Sequence, residues 1–142
     1  MPIGQWHEMT SSDWDAFAKA WLAELRMSSP SPESDDESDM QEAVVWMNFT
    51  AGPEQQWQFI CSAVAQAESD DELGHIAAGP MEHLLGSDGK SFIDRVEARA
   101  ATDPKFGRML TGVRKHTMTD EVWAGVQAIQ ATVSNPQVEL PP

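Results

Sequence analysis

The sequence predicts an all-α protein: a compact bundle or short stack of seven to eight short helices, in a single domain spanning residues 1–142. Three observations predict it. Apolar residues recur at helical spacing along most of the chain. Capping residues and helix-starting prolines punctuate it at short intervals. The one strand-like run, Val44-Val45-Trp46, has no other strand-like segment to pair with. Six Trp, five Phe and eight Met supply apolar bulk for one core in a chain of 142 residues.

The first helix is expected to be capped by Ser11 or Ser12, with Asp13 and Asp15 in its first turn and Arg26 in its last. Trp14, Phe17, Trp21, Leu22 and Leu25 fall on one face of it. Residues 28–38 hold two prolines, five serines, four acids and no apolar residue, so they read as a flexible acidic loop. Asp39 caps a second helix through Ala43, Val44, Trp46, Met47 and Phe49. After the turn at Thr50-Ala51-Gly52, Pro53 opens a third, with Trp57, Ile60, Cys61 and Val64 inward. Ser69-x-x-Glu72 is a capping box and starts a short fourth helix. Gly79-Pro80 ends that helix and opens another through Leu84 and Leu85, and Gly86-Ser87-Asp88-Gly89 reads as a loop. Phe92, Ile93, Val96 and Ala100 line the next helix, Asp103-Pro104 caps one more, and Thr119 caps the last, which carries Val122, Trp123, Val126 and Ile129. Residues 134–142 read as a frayed tail. Tryptophans at helical spacing are expected in the core, and Trp6, outside any such pattern, is expected to lie exposed. Cys61, the single cysteine, excludes an internal disulfide and reads as a buried thiol.

Charge is distributed unevenly. The net charge is −14, yet between Met27 and Gly89 there are thirteen carboxylates and neither Lys nor Arg. All seven bases beyond Gly89 lie between Lys90 and Lys115. Such a field repels nucleic acid and anionic membrane and attracts basic proteins. The apolar residues before Leu25 are interrupted by charges, so they form neither a leader nor a membrane span, and a cytoplasmic location is expected.

The run Leu73-Gly74-His75-Ile76-Ala77-Ala78-Gly79-Pro80-Met81-Glu82-His83-Leu84-Leu85 resembles a bacterial family of small proteins known only as a domain of unknown function. Trp14, Phe17, Trp21 and Leu22, the stretch from Trp46 to Ile60, and Glu97 with Asp103-Pro104-x-Phe106 fit the same resemblance. It implies a mostly helical protein and assigns no catalytic residue.

Chemistry-bearing residues are densest at Glu72, His75, Glu82 and His83. Glu72 and His75, three apart, share a helix face, but a bundle metal site needs more than one such pair, so no metal and no cofactor is expected. His75 with Glu82 is a possible acid–base site, and the alternative is that both serve a tight helix junction. No nucleophile elbow or phosphate loop is present, and no catalytic residue is assigned.

These features favour an acidic protein-binding inhibitor, immunity-type or anti-defence-type, that blocks a basic or nucleic-acid-binding surface of a partner protein such as a toxin or effector. The expected partner-binding carboxylates are Glu33, Asp35, Asp36, Glu37, Asp39, Glu42, Asp70, Asp71 and Glu72. Direct nucleic-acid and membrane binding are not expected. A small hydrolase or metal-dependent enzyme centred on His75 and Glu82, and a helical adaptor, are the alternatives. Oligomeric state is left open.

Overall fold

A computed structural model describes residues 6–27 and 39–133, and the described residues contain no strand. A 3-10 turn at Trp6–Glu8 leads to α1 (Ser11–Met27), then α2 (Asp39–Thr50) and α3 (Pro53–Gln66). Beyond these come α4 (Asp70–Ile76), a π-helical segment (Ala77–Met81), α5 (Glu82–Thr102), α6 (Pro104–Leu110) and α7 (Asp120–Gln130). The expected acidic loop 28–38 and tail 134–142 lie outside the described residues. The chain divides between Ala67 and Glu68 into two compact units.

In the first unit α1 packs along α3, with α2 against α1. The α1 cap is Thr10, one residue before the serines expected: its hydroxyl accepts the Asp13 N–H at 3.2 Å while the Asp13 carboxylate accepts the Thr10 N–H at 2.9 Å. That reciprocal pair satisfies two donors at once. Trp14, Phe17, Trp21 and Leu22 are buried as the spacing requires. Trp6 is buried with them, only 3% exposed, which reverses the sequence expectation. Its ring stacks on Trp14 (5.9 Å) and Phe17 (5.7 Å), and its indole N–H donates to Thr50 Oγ1 at 2.7 Å. An indole needs a wall of rings and an acceptor, and neither sits near Trp6 in sequence.

The inner face of α3 is rotated from the one expected. Phe59, Ile60, Ala63 and Val64 are fully buried, whereas Trp57 and Cys61 lie half-buried at its edges. Phe59 wins the central place because Phe17 (5.1 Å) and Trp21 (5.5 Å) of α1 close on it. A polar seam continues the contact: Ser62 donates to the Asp15 carboxylate, Gln66 Nε2 to the Asp15 carbonyl at 3.0 Å, and Arg26 to the Gln66 carbonyl at 3.3 Å.

In the second unit the three expected caps are all made. Ser69 accepts the Glu72 N–H, Asp103 the N–H groups of Lys105 and Phe106, and Thr119 the Val122 N–H. Gly79-Pro80, however, does not end a helix. The chain widens into a π turn, in which the Glu82 N–H reaches the Ala77 carbonyl five residues back. Proline cannot donate the bond a regular turn needs there, and the wider turn lets the helix run past it.

The break expected at residues 86–89 is present as a kink rather than an open loop: Asp88 leaves the helical backbone (φ −134°, ψ 19°) and parts two helical stretches within α5. The glycines serve close approach. A Cβ on Gly89 would stand 2.6 Å from Val122 Cγ1, one on Gly125 would stand 3.1 Å from Ile93 Cγ1, and one on Gly86 would collide with Thr117 Oγ1. Thus α5 and α7 exchange a glycine for an apolar side chain in both directions. Phe106, Met109, Leu110, Val126 and Ile129 complete the core. Gln130, itself buried, donates to the carbonyls of Leu110 and Val113 at 3.0 Å each, tying α7 to the end of α6.

Candidate interaction surface

The carboxylates expected to bind a partner have different fates. Glu33, Asp35, Asp36 and Glu37, and the side chain of Asp39, lie outside the described residues. Glu42 is exposed on α2. Asp71 is exposed in the first turn of α4, its side chain 83% open, with His75 Nε2 3.7 Å away. Asp70 is bound to Arg108, which donates from Nε at 2.7 Å and from Nη2 at 2.5 Å. That guanidinium holds the Asp70 carboxyl below the usual carboxylate range. Glu72 corrects the sequence expectation more sharply. It is 5% exposed, and its carboxylate accepts the Glu68 N–H at 3.0 Å and the Ser69 hydroxyl at 3.3 Å. Its charge closes the helix end, so it does not belong to a partner surface.

His75 and Glu82 are likewise placed apart in role. His75 is half-exposed and faces Asp71. Glu82 is buried at the first turn after the π segment, and its carboxylate accepts the Arg114 backbone N–H at 3.1 Å. Burial raises the Glu82 pKa, and the hydrogen bond from Arg114 with the charges of His116 and Arg114 opposes part of that rise. The segment Glu82 holds, Arg114 to Thr117, is itself exposed, and His116 there adopts the left-handed backbone at φ 44°. Glu82 therefore fastens a strained, cationic loop to the helix junction. Among the described residues no three His, Cys, Asp or Glu side chains gather in a group that could hold a metal ion. No described helix is long and apolar enough to cross a membrane.

Sequence reasoning missed the outer face of α2. Val44, Met47 and Asn48 are buried, while Val45 (53%), Trp46 (49%) and Phe49 (74%) are exposed. Glu42, Val45, Trp46 and Phe49 stand at i, i+3, i+4 and i+7, so they form one outward stripe. A signal was present: α2 is apolar around its circumference, from Ala43 through Phe49, which is more than one buried stripe holds. Assigning its tryptophan to the core by spacing hid that signal.

A family model for a family of unknown function, DUF6869, matches residues 28–134. The run Leu73–Leu85, on which the resemblance rests most, is the end of α4, the π turn and the start of α5. No curated protein and no solved structure matches the chain.

Proposed function

Since the chain belongs to DUF6869, a family of unknown function that brings no activity with it, its role must come from its own surface, and we propose that it acts by binding a basic protein. In this reading it is an acidic inhibitor, immunity-type or anti-defence-type, that covers a cationic or nucleic-acid-binding surface of its partner. The observation that carries the reading is the segregation of charge: thirteen carboxylates and no Lys or Arg between Met27 and Gly89. A chain selected only for solubility would intersperse both signs, because mixed charge costs less self-repulsion. Glu42 and Asp71 present part of that charge from helices, where it is held without a flexible backbone.

The test is capture by the immobilised chain from an extract of its source cells, at low and high salt, followed by kinetics with the identified partner. The expected partner is basic and is released by salt. Glu42→Lys and Asp71→Lys should each slow association and flatten its salt dependence, with dissociation changing less. A partner set with no excess of basic proteins, or association indifferent to salt, refutes the reading.

A further inference from the structure

We propose that Glu82 is a proton-operated latch: its ionised carboxylate holds the exposed loop 114–117 against the helix junction, and taking up a proton releases that loop. The device goes beyond the reading of the chain as a binder of basic proteins and does not depend on it.

The loop lies between fixed ends. Val113 (3% exposed) and Met118 (4%) are buried on either side of it, while the four residues between them are exposed. Gln130 secures the near end by donating to the Val113 carbonyl at 3.0 Å. Within the loop the Met118 N–H closes a turn on the Lys115 carbonyl at 2.8 Å. The first central residue of that turn is His116 at φ 44°, a place where glycine, asparagine or aspartate is the usual choice. A left-handed histidine persists only while its surroundings hold it there. The Arg114 N–H, bound to the Glu82 carboxylate at 3.1 Å, supplies such a hold from the junction.

That hold is strong only while Glu82 is ionised. A carboxylate accepts an N–H bond about twice as strongly as a neutral group does. It also attracts the Arg114 guanidinium and a protonated His116, both of which act on it. The charged groups of the neighbouring elements have partners of their own. Asp71 faces His75 on α4, Asp70 binds Arg108 of α6, and Asp120 of α7 binds Lys115, with Glu121 exposed beside it. Glu72 closes the start of α4. His83 adjoins Glu82 on α5, and adjacent residues of a helix do not face each other.

Once the carboxyl takes up a proton, Arg114 and His116 lose their buried counter-ion, whereas the neutral acid is less costly to bury. Burial, the largest influence on this carboxyl, moves its titration up from the ordinary glutamate range, against the bond from Arg114 and the charges of His116 and Arg114. The latch therefore opens before ordinary exposed glutamates are neutralised.

Amide resonances followed from about pH 8 to about pH 4 test this. The titration of Glu82 itself is read from its carboxyl carbon, assigned with Glu82→Gln. Through that titration, protection of the Arg114 amide against exchange should fall at least about tenfold beyond the intrinsic effect of pH. The heteronuclear NOE of residues 114–117 should fall with it, while Val113 and Met118 stay protected. Glu82→Gln mimics the protonated acid, so its loop should be mobile at every pH although the melting temperature holds or rises. A role in stability alone would not separate these two readouts. His116→Asn keeps a residue that tolerates the left-handed backbone and removes a cation, so its loop should release at higher pH. If residues 114–117 stay equally rigid while Glu82 titrates, or if their transition survives in Glu82→Gln, the latch is overturned. If Val113 and Met118 lose protection together with the loop, the event is unfolding and the proposal is overturned as well.

Discussion

The buried carboxylate of Glu82 accepts the backbone N–H of Arg114 at 3.1 Å, so the first residue after the π turn holds a loop 32 residues further along the chain. Both residues lie in the second unit. The bond fixes what Glu82 does and leaves His75, which faces Asp71, outside that arrangement.

Replacement of Glu82 should separate its hydrogen bond from its charge. Glu82→Ala leaves the Arg114 N–H without its acceptor and should cost about 1–3 kcal/mol. Glu82→Gln keeps an acceptor and removes a buried charge, so it should hold or raise stability at neutral pH. Because burial raises the folded-state pKa above the unfolded one, the folded protein binds this proton more tightly. The resulting contribution is fully present below the unfolded pKa and is lost as pH rises through the folded pKa. The gain from Glu82→Gln should therefore grow from acid to neutral pH. Thermal unfolding of both proteins from pH 4 to 8, on the order of one unit per step, checks this. A gain that shrinks with pH would contradict it.

His75→Ala should change the melting temperature little, since the side chain is half-exposed and its ion-pair geometry is a long 3.7 Å contact on the helix surface. A loss of several degrees would show that His75 supports the junction after all.

The glycines make a test of sign. Gly79→Ala meets nothing within 4 Å beyond its chain neighbours, so its propensity gain of up to about 1 kcal/mol is opposed only by the clash of a Cβ with the Pro80 ring, and it should be close to neutral. Gly89→Ala brings a methyl to 2.6 Å from Val122 Cγ1 and 3.1 Å from Cγ2, against a side chain stiff at χ1. It should destabilise by about 1–3 kcal/mol despite the same propensity gain. Chemical denaturation of the two variants decides it, and a stabilised Gly89→Ala would mean that α5 and α7 part easily.

Trp6→Ala should cost about 3–5 kcal/mol, as a large buried ring is lost. Thr50→Val removes the acceptor of the indole N–H together with the bond the hydroxyl donates to the Trp46 carbonyl, and should cost about 1–3 kcal/mol. Combining Trp6→Phe with Thr50→Val should cost less than the sum of the two, since each alone breaks the same bond. Strict additivity in urea titrations would show that the bond contributes nothing.

Helix class, the caps at Ser69, Asp103 and Thr119, and the inner face of α1 were legible in the sequence because each depends on residues within one or two turns. The family was legible too, in a run that the structure resolves as the π turn. Other features were settled only by contacts between residues far apart. Trp6 is buried because Trp14, Phe17 and Thr50 surround it, and Glu82 is fixed by Arg114. Gly86 and Gly89 look like loop residues in isolation, and become helix-contact residues only when Thr117 and Val122 arrive against them. The candidate carboxylates show the same division. Composition marks the acidic segment, but whether a given charge faces outward, as Glu42 does, or closes a helix end, as Glu72 does, follows from packing. On α2 the sequence determined that apolar side chains encircle the helix, and the tertiary structure decided which of them are left outside, because α1 packs against only one side of it.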